Sequence, residues 1–149
     1  MADSIQNNSA PIFVGEFCHA IDGKHRITVP ANWRFEEEVE LILLPASNKP
    51  CLKALPRAEI DRIRSDGKIS QAQRAALLQR IGTLGRRVIL DKSGRLTIPE
   101  TFCQQFKLSD EVTLTGAIET FEVWNPGDFG PHRDRNMAIS EEVAGEFGL

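Results

Sequence analysis

A nine-residue motif carries most of the chemistry this chain can offer. Asp22-Gly23-Lys24-His25-Arg26-Ile27-Thr28-Val29-Pro30 recurs 69 positions later as Asp91-Lys92-Ser93-Gly94-Arg95-Leu96-Thr97-Ile98-Pro99. Asp, Arg, Thr and Pro are identical at matching positions, and the two apolar positions exchange Ile for Leu and Val for Ile, preserving shape and burial. A carboxylate four residues before a guanidinium has two possible roles. It can pair with the cation as a purely structural salt bridge, or it can cap backbone N–H groups and shape a turn while the cations project. In the second role Asp22, Gly23, Asp91 and Gly94 shape two turns, and Lys24, His25, Arg26, Lys92 and Arg95 make them positively charged loops suited to an anion. The motif by itself leaves both roles open.

The surrounding elements must hold such loops. Each copy reads strand, turn, strand, short helix, strand, strand. Strand-like segments at 16–21 and 87–90 precede the motifs, helix-like segments at 31–35 and 100–106 follow the prolines, and extended runs at 41–44, 52–55, 112–115 and 121–124 complete the copies. Pro30 and Pro99 stand at helix starts, where a missing N–H costs nothing. A tight reversal needs a residue at positive φ, which glycine supplies, and Gly94 is placed for it. The first copy has His25 there and Gly23 two residues earlier; histidine tolerates left-handed backbone better than most side chains. Histidine also gains charge on mild acidification, so His25 either strengthens an anion contact at low pH or, the more favoured reading, simply replaces glycine without consequence. About 45 residues per copy are too few for an independent core, since even domains of ~60 residues are marginal. The copies are therefore expected to pack on each other as a pseudo-dimer.

Between the copies, Ile60 and Ile63 mark a helical face, Asp66-Gly67 interrupts it, and Ser70 with Gln73 matches a capping box ahead of Ala75, Leu77, Leu78 and Ile81. Arg57, Arg62, Arg64, Arg74 and Arg80 are expected on the solvated face of this linker. The organisation read from sequence is a disordered lead-in at 1–13, a first module at 14–57, a helical linker at 58–84, a second module at 85–127 and an acidic, partly disordered tail at 128–149.

With 149 residues, the chain makes one globular unit or two very small ones, which excludes a large multidomain enzyme. The formal net charge of −3 hides a strong asymmetry. Residues 53–107 carry 12 basic and 5 acidic side chains, whereas residues 108–149 carry 2 and 9, so an anionic partner suits the middle of the chain. No apolar run approaches the ~20 residues that cross a bilayer. The first ten residues have neither a basic start nor an apolar stretch, so they do not read as a secretion signal. Cys18, Cys51 and Cys103 are too widely spaced for a zinc site or a disulfide framework, which fits a reducing, cytoplasmic setting. Adjacent Cys18 and His19 point to opposite faces of a strand and cannot work as nucleophile and base together. With no nucleophile elbow, phosphate-cradling glycine loop or HExxH spacing, no catalytic residue, metal ligand or cofactor is assigned.

The doubled motif, together with Gly15-Glu16-Phe17, Leu90 and Glu122-Val123-Trp124, resembles the MraZ family of bacterial transcriptional regulators, built from two SpoVT-AbrB-type modules. The resemblance covers roughly residues 14–126. It implies a mostly β fold with short helices (α+β), made of two swapped-hairpin, double-ψ-like modules packed as a pseudo-dimer and joined by a helical linker. It also implies a homo-oligomeric ring that binds double-stranded DNA at direct promoter repeats, as a repressor of its own division and cell-wall operon. Lys24, Arg26, Lys92 and Arg95 would contact DNA, with His25 in the same loop. Arg34 would join them, because related modules carry an arginine after the proline, although the second copy has Cys103 there. Such a protein is cytoplasmic and nucleoid-associated, with no membrane, small-molecule substrate or cofactor as partner. An antitoxin-like or other non-DNA interaction module of the same fold is the competing class; it would normally pair one module with a toxin-binding tail. This chain departs from the family pattern at His25, in its N-terminal extension and in a tail without a clear terminal helix.

Overall fold

The computed structural model describes residues 11–149. The first copy of the repeat forms β1 (Glu16–Ala20), β2 (Arg26–Thr28), a 3-10 turn (Ala31–Trp33), β3 (Val39–Pro45) and β4 (Cys51–Pro56). Helices α1 (Arg57–Ser65) and α2 (Gln71–Leu84) lead to the second copy, which forms β5 (Arg86–Leu90), β6 (Arg95–Thr97), α3 (Glu100–Gln105), β7 (Glu111–Gly116) and β8 (Phe121–Trp124). A long helix, α4 (Pro126–Glu146), follows. The fold is α+β, a mostly antiparallel β body arranged as two modules, with short helices inside the modules and longer ones in the linker and at the end.

The copies are interleaved. The large sheet runs β1-β7-β8-β4-β3-β5, and β2 and β6 form a separate two-stranded ribbon. Strand β1 leaves its own copy and pairs with β7, Cys18 opposite Thr113, while β5 pairs with β3, Val88 opposite Leu41. Each copy thus lends its first strand to the sheet of the other, and β4 joins β8 at the centre. The physical driver is burial. Ile27 and Leu96 on the inner side of the ribbon, Val29 and Ile98 just beyond it, and Leu43, Leu114 and Val123 in the sheet share one core with Trp33 and Phe102. Each such side chain contributes about 1.5–3 kcal/mol when fully buried, and neither copy alone has enough of them. Across the β4–β8 seam the buried Glu122 carboxylate receives Lys49 at 2.6 Å, Lys53 at 3.3 Å and Trp124 Nε1 at 2.9 Å. Burial pushes that carboxyl upward, but these donors bring it below its ordinary value.

Three features differ from the sequence reading. The lead-in assigned to 1–13 is ordered at its end: Phe13 is buried, bridges Ile118, and meets the Trp33 ring edge-on at 5.6 Å. Residues 1–10 lie outside the described residues. The tail at 128–149, read as partly disordered from its charge, is instead largely helix α4. The Asn125 side chain accepts the Gly127 N–H at 2.8 Å and Pro126 takes the first helical position, which starts the helix firmly. Tertiary contacts then hold its base, with His132 stacked on Trp124 at 4.6 Å and Arg133 paired with Glu16 at 3.0 Å. Finally, Arg74 leaves the solvated face and donates to the carbonyls of Asp66 and Ile69, tying the break between α1 and α2. The capping box forms as spelled by Ser70 and Gln73. Ile60 and Ile81 pack with Leu55 under the linker, while Leu77 and Leu84 stay exposed.

Candidate nucleic-acid interface

The two motifs fold into matching turns at opposite ends of the β2–β6 ribbon. In the first, Asp22 Oδ1 accepts the backbone N–H groups of Lys24 and Arg26, both at 2.9 Å; in the second, Asp91 Oδ1 accepts those of Ser93 and Arg95 at the same distances. The other carboxylate oxygen meets the arginine: Arg26 Nε donates to Asp22 Oδ2 at 2.8 Å and Arg95 Nε to Asp91 Oδ2 at 3.2 Å. Both roles considered for the aspartates therefore coexist. Backbone N–H donation from Arg26, reinforced by its guanidinium, holds the Asp22 carboxyl down to about 2. The backbone N–H of Arg95, with that of Ser93, likewise holds Asp91 below its ordinary value.

The left-handed positions are Gly94 at φ 83° and His25 at φ 62°. Their carbonyls play equivalent parts, Gly94 accepting the Val29 N–H and His25 accepting the Ile98 N–H, each at 2.8 Å. The positive φ is what favours glycine at Gly94; a Cβ there would in addition push aside the flexible end of the Arg34 side chain. Gly23, read as a turn-shaping residue, lies in the turn without a positive φ and with open space around it; the left-handed conformation falls on His25. Lys92 occupies the place equivalent to Gly23 and Lys24 that of Ser93, so the two exposed lysines are offset by one residue.

Arg34, expected to contact DNA, donates from Nε and Nη2 to the Val29 carbonyl at 3.4 and 3.3 Å and lies against Gly94. It braces the turn of the opposite copy. Its counterpart Cys103 sits at the same place, with Sγ 3.8 Å from the Ile98 carbonyl. Burial pushes both the Cys103 and Cys51 thiols up, Cys51 to about 12, so neither is a nucleophile at neutral pH.

Arg26 and Arg95 come together because of strand register. Arg26 stands opposite Thr97 and Thr28 opposite Arg95, while Ile27 and Leu96 turn inward. The outer face of the ribbon thus presents two guanidinium groups on a diagonal, with two threonines between them. Only Nε of each arginine is used by its aspartate, and the terminal nitrogens have no hydrogen-bond acceptor among the described residues. Beside them is a cleft of about 320 Å³ lined by His19, Asp22, Arg26, Thr28 and Arg95. His19 is absent from the sequence-derived site. The usable signal was its position on the strand that feeds the first turn, where alternation sends it to the same side as Phe17. Chemically, the face is a rigid double hydrogen-bond donor. The described residues hold no His, Cys, Asp and Glu cluster suited to a metal ion, and none of their helices is long and apolar enough to cross a membrane.

Comparison with known proteins agrees with this architecture. The model of the family described as "MraZ protein, putative antitoxin-like" matches residues 86–143. The curated protein "Transcriptional regulator MraZ" of Caulobacter vibrioides is 28% identical over 137 residues, covering 88% of each chain. Its namesake in Roseiflexus castenholzii is 29% identical over 118 residues, covering 77% of this chain and 82% of the relative. That of Syntrophobacter fumaroxidans is 27% identical over 144 residues, covering 91% and 96%. The duplicated Asp-x-x-x-Arg turns and the interleaved sheet thus stand in a chain that is similar, over most of its length, to transcriptional regulators of the MraZ family.

Proposed function

We propose that this protein is a sequence-specific DNA-binding transcriptional regulator whose β2–β6 ribbon reads direct promoter repeats, acting at the nucleoid as a repressor of its own division and cell-wall operon. The observation that carries this reading is the diagonal pair Arg26 and Arg95 on one exposed ribbon face, each already oriented by an aspartate. The major groove admits a two-stranded ribbon, and arginine reads guanine or phosphate with paired donors. A guanidinium pinned through Nε loses less freedom on binding, so its terminal nitrogens meet DNA pre-organised. Lys24 and Lys92 extend the positive surface toward the backbone. The relatives' names support the same role. Self-association into a ring fits it, because several weak ribbons on tandem repeats gain effective concentration. A binding role rather than catalysis is supported by the buried, proton-holding Cys51 and Cys103.

The family description favours one second reading, an antitoxin-like protein-interaction module. Fluorescence anisotropy with a duplex of the protein's own upstream region separates the two. Tight binding should weaken steeply with salt, and Arg26→Ala and Arg95→Ala should each cost about 1–3 kcal/mol of affinity. If the wild type does not bind, the DNA reading fails and the antitoxin-like one stands; if the double variant binds as the wild type does, the arginines serve only their aspartates.

A further inference from the structure

Two surfaces remain unused by the ribbon and by the core. The first is the outer part of α4. Its base is tied down through Asn125, His132 and Arg133, but from Asp134 onward its residues are almost all exposed. At 1.5 Å per residue this arm extends about 20 Å beyond its last anchor. Along it Ile139, Val143 and Phe147 recur at helical spacing and are 77%, 52% and 78% exposed. Around that stripe Asp134, Glu141, Glu142 and Glu146 outnumber Arg135, for a net charge of −3. An apolar stripe of this kind on a projecting helix marks a contact surface.

The second surface is the α1–α2 hairpin. Residues 57–84 carry six basic and three acidic side chains, and α2 itself has no acidic residue. Leu77 and Leu84 of α2 are 36% and 41% exposed. Beside α1 opens a cavity of about 810 Å³ with Val39, Ile42, Leu55 and Ile60 in its lining. Arg57 and Arg64 at its rim share a single carboxylate, Asp61, at 3.5 and 3.9 Å.

We propose that the α4 arm of one copy docks on the α1–α2 hairpin and adjoining cavity of a second copy of this chain. The charges decide the pairing. Arm against arm would crowd Glu141, Glu142 and Glu146 together, whereas arm against hairpin sets a net −3 on a net +3. Apolar stripe then meets exposed leucines and cavity, so both complementarities act at one contact. Because two different surfaces meet, the contact is head-to-tail, the kind that propagates into rings. This inference rests on the self-association in the proposed function and names its surfaces.

The test is the mass of the full chain in solution by light scattering, with circular dichroism to verify folding. Ile139→Glu/Val143→Glu and, separately, Glu141→Arg/Glu142→Arg/Glu146→Arg should each shift half-assembly to at least tenfold higher protein concentration while leaving the fold intact, since all five side chains are exposed. A hairpin variant, Arg57→Glu/Arg64→Glu/Arg80→Glu, should dissociate likewise. Mixing the charge-reversed arm variant with the charge-reversed hairpin variant should restore assembly. Unchanged mass in either arm variant overturns the proposal. So does dissociation that mixing fails to restore, which would mean that the arm meets another surface, and so does assembly lost on deleting residues 2–10 with the arm variants unaffected. A monomeric wild type instead removes the self-association reading itself.

Discussion

At Gly94 and His25 the same left-handed turn is built with and without a side chain, and the surroundings explain the difference. Gly94 sits at φ 83°, which strains an L-residue, and a Cβ there would also have to displace the end of the Arg34 side chain that lies over it. Gly94→Ala should therefore lower stability by about 1–2 kcal/mol, the cost of left-handed backbone in an L-residue, and should displace Arg34. Conversely, His25→Gly should relieve strain and raise stability by up to about 1 kcal/mol. Urea denaturation of the two variants checks both signs: equal and opposite shifts are not required, but a stabilised Gly94→Ala contradicts the packing described. Arg34 lies over Gly94, whereas its counterpart Cys103 reaches only the Ile98 carbonyl, so the two ends of the ribbon are not interchangeable. Arg34 donates to the Val29 carbonyl and lies against Gly94, so in the free protein its guanidinium is partly engaged in bracing a turn.

The long helix α4 shows an element whose position depends on a titratable contact. His132 stacks on Trp124, and burial, aided by the positive charge of Lys49, lowers its pKa below the ordinary value of 6.5. The docked helix thus favours the neutral ring. For a base with a lowered folded-state pKa, the stabilising contribution is complete above the unfolded value and declines as pH falls through that value toward the folded one. Docking of residues 126–133 should accordingly be firmest above pH 7 and loosen as the pH falls below the ordinary histidine value of about 6.5. Hydrogen exchange at pH 7.5 and 5.5, with intrinsic rates corrected for pH, reads this directly. Protection in the first turns of α4 should fall on acidification in the wild type and stay level in His132→Phe, which keeps the stacking without the charge. The same loss of protection in both proteins would assign the effect to other groups, such as the Arg133–Glu16 pair.

Across the whole molecule, exchange of strands makes the two copies one cooperative unit. Sheet order places β1 beside β7 and β5 beside β3, so removing either copy leaves a two-stranded hairpin, an unpaired first strand and an unpaired ribbon strand. Separate expression of residues 14–57 and 85–127 should give chains without stable tertiary structure, and mixing them should recover signal only through mutual association. In the intact chain Leu43→Ala, at a position fully buried in the shared core, should cost about 2–5 kcal/mol. Unfolding should remain a single transition, coincident by far-ultraviolet dichroism and by tryptophan fluorescence, because Trp33 and Trp124 report on different copies. Two separated transitions would show that the modules fold independently despite their interleaving.

Sequence alone determined the local devices. Asp22 and Asp91 four residues before arginine, the alternation of Ile27 and Leu96, and the Ser70 to Gln73 capping box each act within a few residues, so their physics can be read along the chain. The four-strand content of each copy followed from the same short-range patterns. Tertiary structure decided what depends on distant partners. Whether β1 would lie in its own half or the other, which side of the ribbon would bring Arg26 beside Arg95, and that Arg34 would press on Gly94 all rest on residues far apart in sequence. The same holds for Phe13, ordered by an aromatic cluster, and for α4, whose acidic composition concealed a capped helix anchored on Trp124. Secondary structure is favoured locally, but burial is a property of the assembled core, and only that core could select among the pairings that the sequence allowed.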